Sequence, residues 1–190
     1  MAGMRAVDPR VSYAELEQWP DDGRRYELYE GEPIVVPSPN IRHQIVVSNL
    51  HDLLREYAQN THGLALVSPL DIVLSQYDVL QPDAVYFGPE KRGLLVLTEA
   101  AHAVPDLAVE VLSRSTELRD RGRKMTLLAR YGLPEYWIVD PSAQIVEVYA
   151  LAAGDLRLDR AYERDQAFDS PGLRGLRVRA GRMWLNCPGA

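Results

Sequence analysis

The stretch VPDLAVEVLSRS, Val104 to Ser115, decides how this chain is read. It reads as a buried strand from Asp106 to Leu112, yet Glu110 stands in the middle of the apolar run. Side chains alternate between the faces of a strand, so Glu110 shares a face with Asp106, Ala108 and Leu112. A carboxylate inside a sheet core is costly unless something pairs with it. An arginine such as Arg114 or Arg123 is one candidate partner. A bound cation is another.

The segments on either side supply further polar residues where apolar ones are expected. Upstream, DVLQPDAVYF (Asp78–Phe87) reads as a strand that places Asp83 with Val79, Gln81, Val85 and Phe87. Downstream, Thr116 reads as an N-cap, with Glu117 suited to the first turn. The helix it opens runs to about Tyr131 and stops at Gly132, with Pro134 just beyond. On it, Lys124, Leu127, Leu128 and Tyr131 follow helical spacing and form the inward stripe. Arg119, Arg123 and Arg130 lie away from that stripe. Asp120, four residues before Lys124, is placed to pair with it.

Two acids and a lysine on inward faces suggest a chemistry. Carboxylate oxygens suit a hard divalent cation, which also offsets their mutual repulsion. A nearby lysine holds a water or an anionic oxygen. Such a set suits metal-assisted phosphodiester hydrolysis. Each residue also has a plainer reading. Asp83 can end a turn after Pro82. Lys124 can snorkel to solvent or pair only with Asp120.

The rest of the chain reads as alternating short elements. Ser12 and Glu15 form a capping box for a helix over Tyr13–Trp19. RYELYEGEPIVV reads as a hairpin turning at Glu30-Gly31. Ser38-Pro39-Asn40 opens a long helix with an inner stripe of His43, Val47, Leu50, Leu54 and Tyr57, ended by Gly63. GPEKRG reads as a loop. EYWIVD and IVEVYAL are strands joined by a PSAQ turn. The pattern predicts one α/β (α+β) domain over residues 1–190, with a mixed central sheet flanked by helices and an N-terminal hairpin.

Composition bounds the function. The chain has 190 residues, 46% of them hydrophobic and 25% charged, an ordinary globular mix. Its net charge of −6 argues against general, nonspecific nucleic-acid binding but leaves room for a local basic groove. Arginines between Arg114 and Arg130 are candidates for a phosphate-contacting face, diluted by Glu117 and Asp120. Arg174, Arg177, Arg179 and Arg182 form a second basic cluster with no obvious chemistry. The single cysteine, Cys187, excludes an internal disulfide, and no Cys/His cluster suggests zinc. His51, His62 and His102 show no ligand spacing. MAGMRAVDPR has no apolar segment of signal-peptide type, and no apolar run reaches membrane-span length. The cytoplasm is the expected compartment.

QPDAVYF, VPDLAVEVLS and DRGRKMTLLARYGLPEYWIVDP together resemble the Uma-type putative restriction endonuclease family of the PD-(D/E)XK nuclease superfamily. The resemblance runs from about Tyr26 to Leu151 and takes in the YELYEGE hairpin and the histidine of IRHQ. PGLRGLRV also looks like the family's closing segment. The resemblance implies a restriction-endonuclease-like core of a helix, a three-strand meander, a helix and a fourth strand. It implies a metal-dependent DNA endonuclease with Mg²⁺ or Mn²⁺ as cofactor. Asp83 and Glu110 would be metal ligands, with the carbonyl of Val111 as a third. The superfamily lysine belongs two residues after the second acid, where this chain has Leu112. Lys124 would then be a migrated lysine reaching the site from the helix. Glu27 and His43 match positions that line the family's site. Taken alone, Glu27 reads as a cross-strand partner on the hairpin, and His43 as a satisfied core histidine. DNA is the expected partner, and a homodimer is expected because cutting two strands takes two sites. The alternatives are a catalytically inactive binding or assembly module with the nuclease fold, and a hydrolase of another phosphate substrate.

Overall fold

The computed structural model describes residues 9–113 and 115–187. Arg114, one of the partners considered for Glu110, lies outside them. The Ser12–Glu15 capping box forms and starts α1 (Tyr13–Leu16), which ends one turn before Trp19. β1 (Arg25–Tyr29) and β2 (Glu32–Val36) make the hairpin. Its turn holds Glu30 at φ 53° and Gly31 at φ 84°, the pair of positive angles a two-residue hairpin loop favours. Asn40 caps α2 (Ile41–Thr61), its side chain accepting from the His43 N–H. The left-handed residue that closes α2 is His62, one position before Gly63.

Next come β3 (Leu64–Val67), β4 (Ile72–Ser75), β5 (Asp78–Leu80) and β6 (Ala84–Phe87). GPEKRG is not a bare loop but holds a single-turn helix, α3 (Pro89–Arg92), with proline at its favoured first position. β7 (Leu107–Val111) is the strand read first in the sequence. The helical segment after it has three parts: α4 (Glu117–Arg119), a π-helical turn over Asp120–Lys124, and α5 (Met125–Arg130). β8 (Glu135–Asp140), β9 (Ile145–Ala152), β10 (Asp155–Glu163), β11 (Ala167–Asp169) and β12 (Arg177–Arg179) follow, then a 3₁₀ turn over Ala180–Trp184.

The central sheet runs β10-β9-β8-β7-β6-β3. Only β7 and β8 are parallel, because only they are joined by a helical crossover. The helix, meander, helix and strand order expected of the core is therefore present as α2, β3-β6-β7, α4–α5 and β8. The even and odd positions of β7 enter two different cores. Leu107, Val109 and Val111 pack with α2 and the C-terminal segments. Ala108 and Leu112 pack with α5 and the second sheet, β2-β1-β5-β4. Glu110 belongs to this second face. Among the described residues no helix is long and apolar enough to cross a membrane.

DVLQPDAVYF is not one strand. β5 belongs to the hairpin sheet and β6 to the central sheet, and Gln81-Pro82-Asp83 carries the chain between them. Pro82 has no N–H to give a ladder, so continuous pairing fails there. Asp83 thus sits at a strand break between two sheets rather than on a shared face with Val79 and Gln81.

Candidate active site

Sheet register brings the two acids together. Ala84 pairs with Val109 and Val85 with Ala108, so Asp83, one step further, stands opposite Glu110. Residues opposed in an antiparallel pair project from the same face. The Asp83 carbonyl still accepts from the Ser68 N–H at 3.1 Å. Its side chain replaces the next ladder bond to β7: Oδ2 accepts the Val111 N–H at 2.8 Å. The same Oδ2 lies 3.1 Å from His43 Nε2, in the first turn of α2. His43 is buried, and its Nδ1 makes no hydrogen bond. Both Asp83 contacts fall on one oxygen, and its side chain remains 18% exposed at a cleft.

Glu110 pairs with Lys124. Lys124 Nζ lies 2.5 Å from Glu110 Oε1 and 2.7 Å from Glu27 Oε1. Glu27 is no surface cross-strand residue: it is 0% exposed at the centre of β1. Its oxygens also accept from the Gln81 N–H at 2.8 Å and the Tyr29 hydroxyl at 2.8 Å. Arg123, the other arginine considered for Glu110, instead donates to Glu32 and to the Tyr29 carbonyl.

The electrostatics are asymmetric. Burial pushes the Glu110 carboxyl well above the usual range; Lys124 opposes this, while Asp120, Asp83 and Glu27 add to it. Burial also works against charge on Glu27, but Lys124, the Gln81 amide and Arg119 outweigh it and hold Glu27 below the usual range. Burial disfavours a charged Lys124, yet Glu110 and Glu27 keep it protonated. Lys124 is therefore a cation between two carboxyl groups, of which its surroundings favour the charged form of Glu27 and oppose that of Glu110.

The π-turn corrects two expectations from helical spacing. A π-turn inserts about one extra residue, so positions before it rotate by roughly 100° relative to a straight α-helix. Asp120 is buried at 1% exposure but makes no ion pair with Lys124, and neither of its carboxylate oxygens is hydrogen-bonded. Burial raises its pKa. Arg119, expected to point away, turns into the cleft at 17% exposure, with Nε 3.7 Å from Glu27 Oε2. Thr116 starts the helix but gives no side-chain cap; its hydroxyl meets Ser113 at 3.0 Å instead.

Asp83, Glu110, His43, Lys124 and Arg119 all line this one cleft. Arg25, Ser38, Ser113 and Thr116 line it too, and no periodicity marked them. The carboxylates of the cleft are of the type a divalent cation takes. Asp83 keeps an oxygen free of these contacts opposite Glu110, and four acids (Glu27, Asp83, Glu110, Asp120) surround two cations (Lys124, Arg119). Among the described residues no three His, Cys, Asp or Glu side chains group as a metal cage. An ion such as Mg²⁺ would need only one or two carboxylates and keep several waters.

Comparison with known proteins bears on the fold and the family. A search of curated proteins finds no match. Among solved structures, the chain resembles the crystal structure of a "putative nuclease belonging to DUF820" from Anabaena variabilis. That match has a TM-score of 0.75 at 18% identity and covers 92% of this chain and 97% of the other. The Uma2 family model, described as "Putative restriction endonuclease", matches residues 13–181, beyond both ends of the stretch that carried the resemblance in the sequence. With that match over most of its length and the nuclease-like fold in place, the chain belongs to the Uma2 family.

Proposed function

We propose that the cleft hydrolyses phosphodiester bonds of DNA with a bound divalent cation, Mg²⁺ or Mn²⁺. The observation that carries this reading is the register that sets Asp83 opposite Glu110 on one sheet face, beside a buried Lys124. Asp83, Glu110 and the Val111 carbonyl would hold the ion. When bound, it would supply a lowered pKa for a coordinated water and a charge to offset that of the phosphate.

The other residues act through these. His43 fixes the Asp83 carboxylate, and the Val111 amide ties it to β7. Lys124 orients Glu110 and sets a positive charge beside it. Glu27 keeps Lys124 charged and in place. An ion takes the ionised form of a carboxyl ligand, so its affinity rises with pH. The enzyme acts as a homodimer in the cytoplasm, one site for each strand of a duplex. The test is cleavage of supercoiled and single-stranded DNA with Mg²⁺ or Mn²⁺ by the wild type and by Asp83→Ala. Nicking that needs the ion and Asp83 supports the proposal; none in the wild type refutes it.

A second reading, a nuclease-fold module that binds without turnover, has one observation in its favour. Lys124 already neutralises the buried acids without any ion. This reading requires DNA binding that is indifferent to Asp83→Ala, with no cleavage.

A further inference from the structure

The cleft has three cationic side chains in its wall: Arg25, Arg119 and Lys124. Two of them are committed elsewhere. Lys124 is 1% exposed and spans Glu27 and Glu110. Arg25 donates to the Ser68 hydroxyl at 2.8 Å and to the Pro37 carbonyl at 3.3 Å. Arg119 is different. Its Nε is buried without a hydrogen bond, and Glu27 at 3.7 Å and Asp120 at 3.9 Å are beyond hydrogen-bond distance. These two acids hold the guanidinium electrostatically and leave its Nε–H without a hydrogen bond. The π-turn is what aims it inward, and π-bulges of this kind recur at functional sites. The nearby Ser113 and Thr116 hydroxyls line the same wall.

We infer that Arg119 is a catalytic residue that contacts a non-bridging oxygen of the scissile phosphate, and that Lys124 is a positioning residue. This rests on the nuclease reading. In hydrolysis, water forms one P–O bond as another breaks, and the water's protons pass to the leaving alkoxide and to solvent. Negative charge meanwhile builds on the non-bridging oxygens. An arginine fork suits that charge better than an ammonium already shared by two carboxylates. It also explains how a site with Leu112 in the usual lysine position keeps a cation for the phosphate.

The experiment compares wild type, Arg119→Lys and Arg119→Gly in single-turnover cleavage of duplex DNA with Mg²⁺. Each is also tested with added guanidinium at a sub-denaturing concentration. Binding of the same duplex is measured by anisotropy in Ca²⁺, and a melting curve confirms folding. Loss of one such donor lowers the rate by about 100-fold with KM little changed. Guanidinium is expected to restore part of the Arg119→Gly rate and leave the wild type unaffected, which a packing role does not predict. An Arg119→Gly rate close to wild type, or a loss that guanidinium does not rescue, overturns the assignment. If the wild type binds DNA without cutting it, the nuclease reading fails and the binding measurement judges Arg119. Binding weakened about tenfold by Arg119→Gly keeps the phosphate contact, since that is the scale of one charge-assisted hydrogen bond. Unchanged binding, or no binding by the wild type, removes it.

Discussion

Lys124 and Glu110 meet at 2.5 Å inside the protein, with Glu27 on the lysine's other side at 2.7 Å. One ammonium thus answers two buried carboxylates. Removing it leaves Glu110 without its cation in a low-dielectric interior and Glu27 with only Arg119, 3.7 Å away. Lys124→Met is expected to cost about 3–5 kcal/mol, the scale for breaking a buried ion pair from one side. Urea unfolding of the two proteins measures this. A cost below about 1 kcal/mol, the scale of a surface pair, contradicts the buried arrangement.

Metal binding should show as stability. A ligand at a hundred times its Kd adds about 2.7 kcal/mol to the folded state. Mg²⁺ or Mn²⁺ is expected to raise the melting temperature of the wild type by several degrees. Asp83→Ala should abolish the shift. An equal shift in both proteins places the ion elsewhere.

Another buried acid, Glu135, has a structural task. Its Oε1 accepts from the Trp137 indole at 2.6 Å, and its Oε2 from the Ser170 hydroxyl at 2.6 Å and the Gly172 N–H at 2.8 Å. All three partners donate. In Glu135→Gln the amide NH₂ must face at least one of them. The expected cost is about 1–3 kcal/mol, the penalty for a buried donor left unpaired. Thermal unfolding reads it, and DNA cleavage is the control that should persist.

Acid sensitivity follows from Glu147, which pairs with Arg121 through two contacts. Burial alone raises its pKa, but Arg121 and Tyr149 outweigh this and lower it from the ordinary 4.5. A lowered folded-state pKa means that the pair's stabilisation is complete above the unfolded value. It is lost as pH falls through the folded one. The stability difference between wild type and Glu147→Gln should therefore be constant near neutrality and shrink below about pH 4.5. A difference that grows on acidification contradicts the sign.

Much of this site is legible in the sequence, and the reasons are local. Glu110 stands out because strand alternation puts it on a face of apolar residues. Lys124 stands out because helical spacing from Leu127, Leu128 and Tyr131 carries back to it without interruption. The spacing misleads one turn earlier, where the π-turn begins and Arg119 and Asp120 change direction. No periodic pattern announces a π-turn. Glu27 is hidden for another reason. Its partners Lys124 and Gln81 come from elements distant in sequence, and only the docking of the hairpin sheet onto the central sheet buries it. Asp83 is legible as an acid beside a proline, but the same proline splits the strand that was read through it.

The most direct test of the central claim is the cleavage of supercoiled DNA with Mg²⁺ or Mn²⁺ by the wild type and by Glu110→Gln. The substitution keeps the size of the side chain and removes the carboxylate. Ion-dependent nicking by the wild type that is lost in Glu110→Gln is the predicted result. Equal nicking by both proteins contradicts the assignment of Glu110, and no nicking by the wild type contradicts the nuclease function itself.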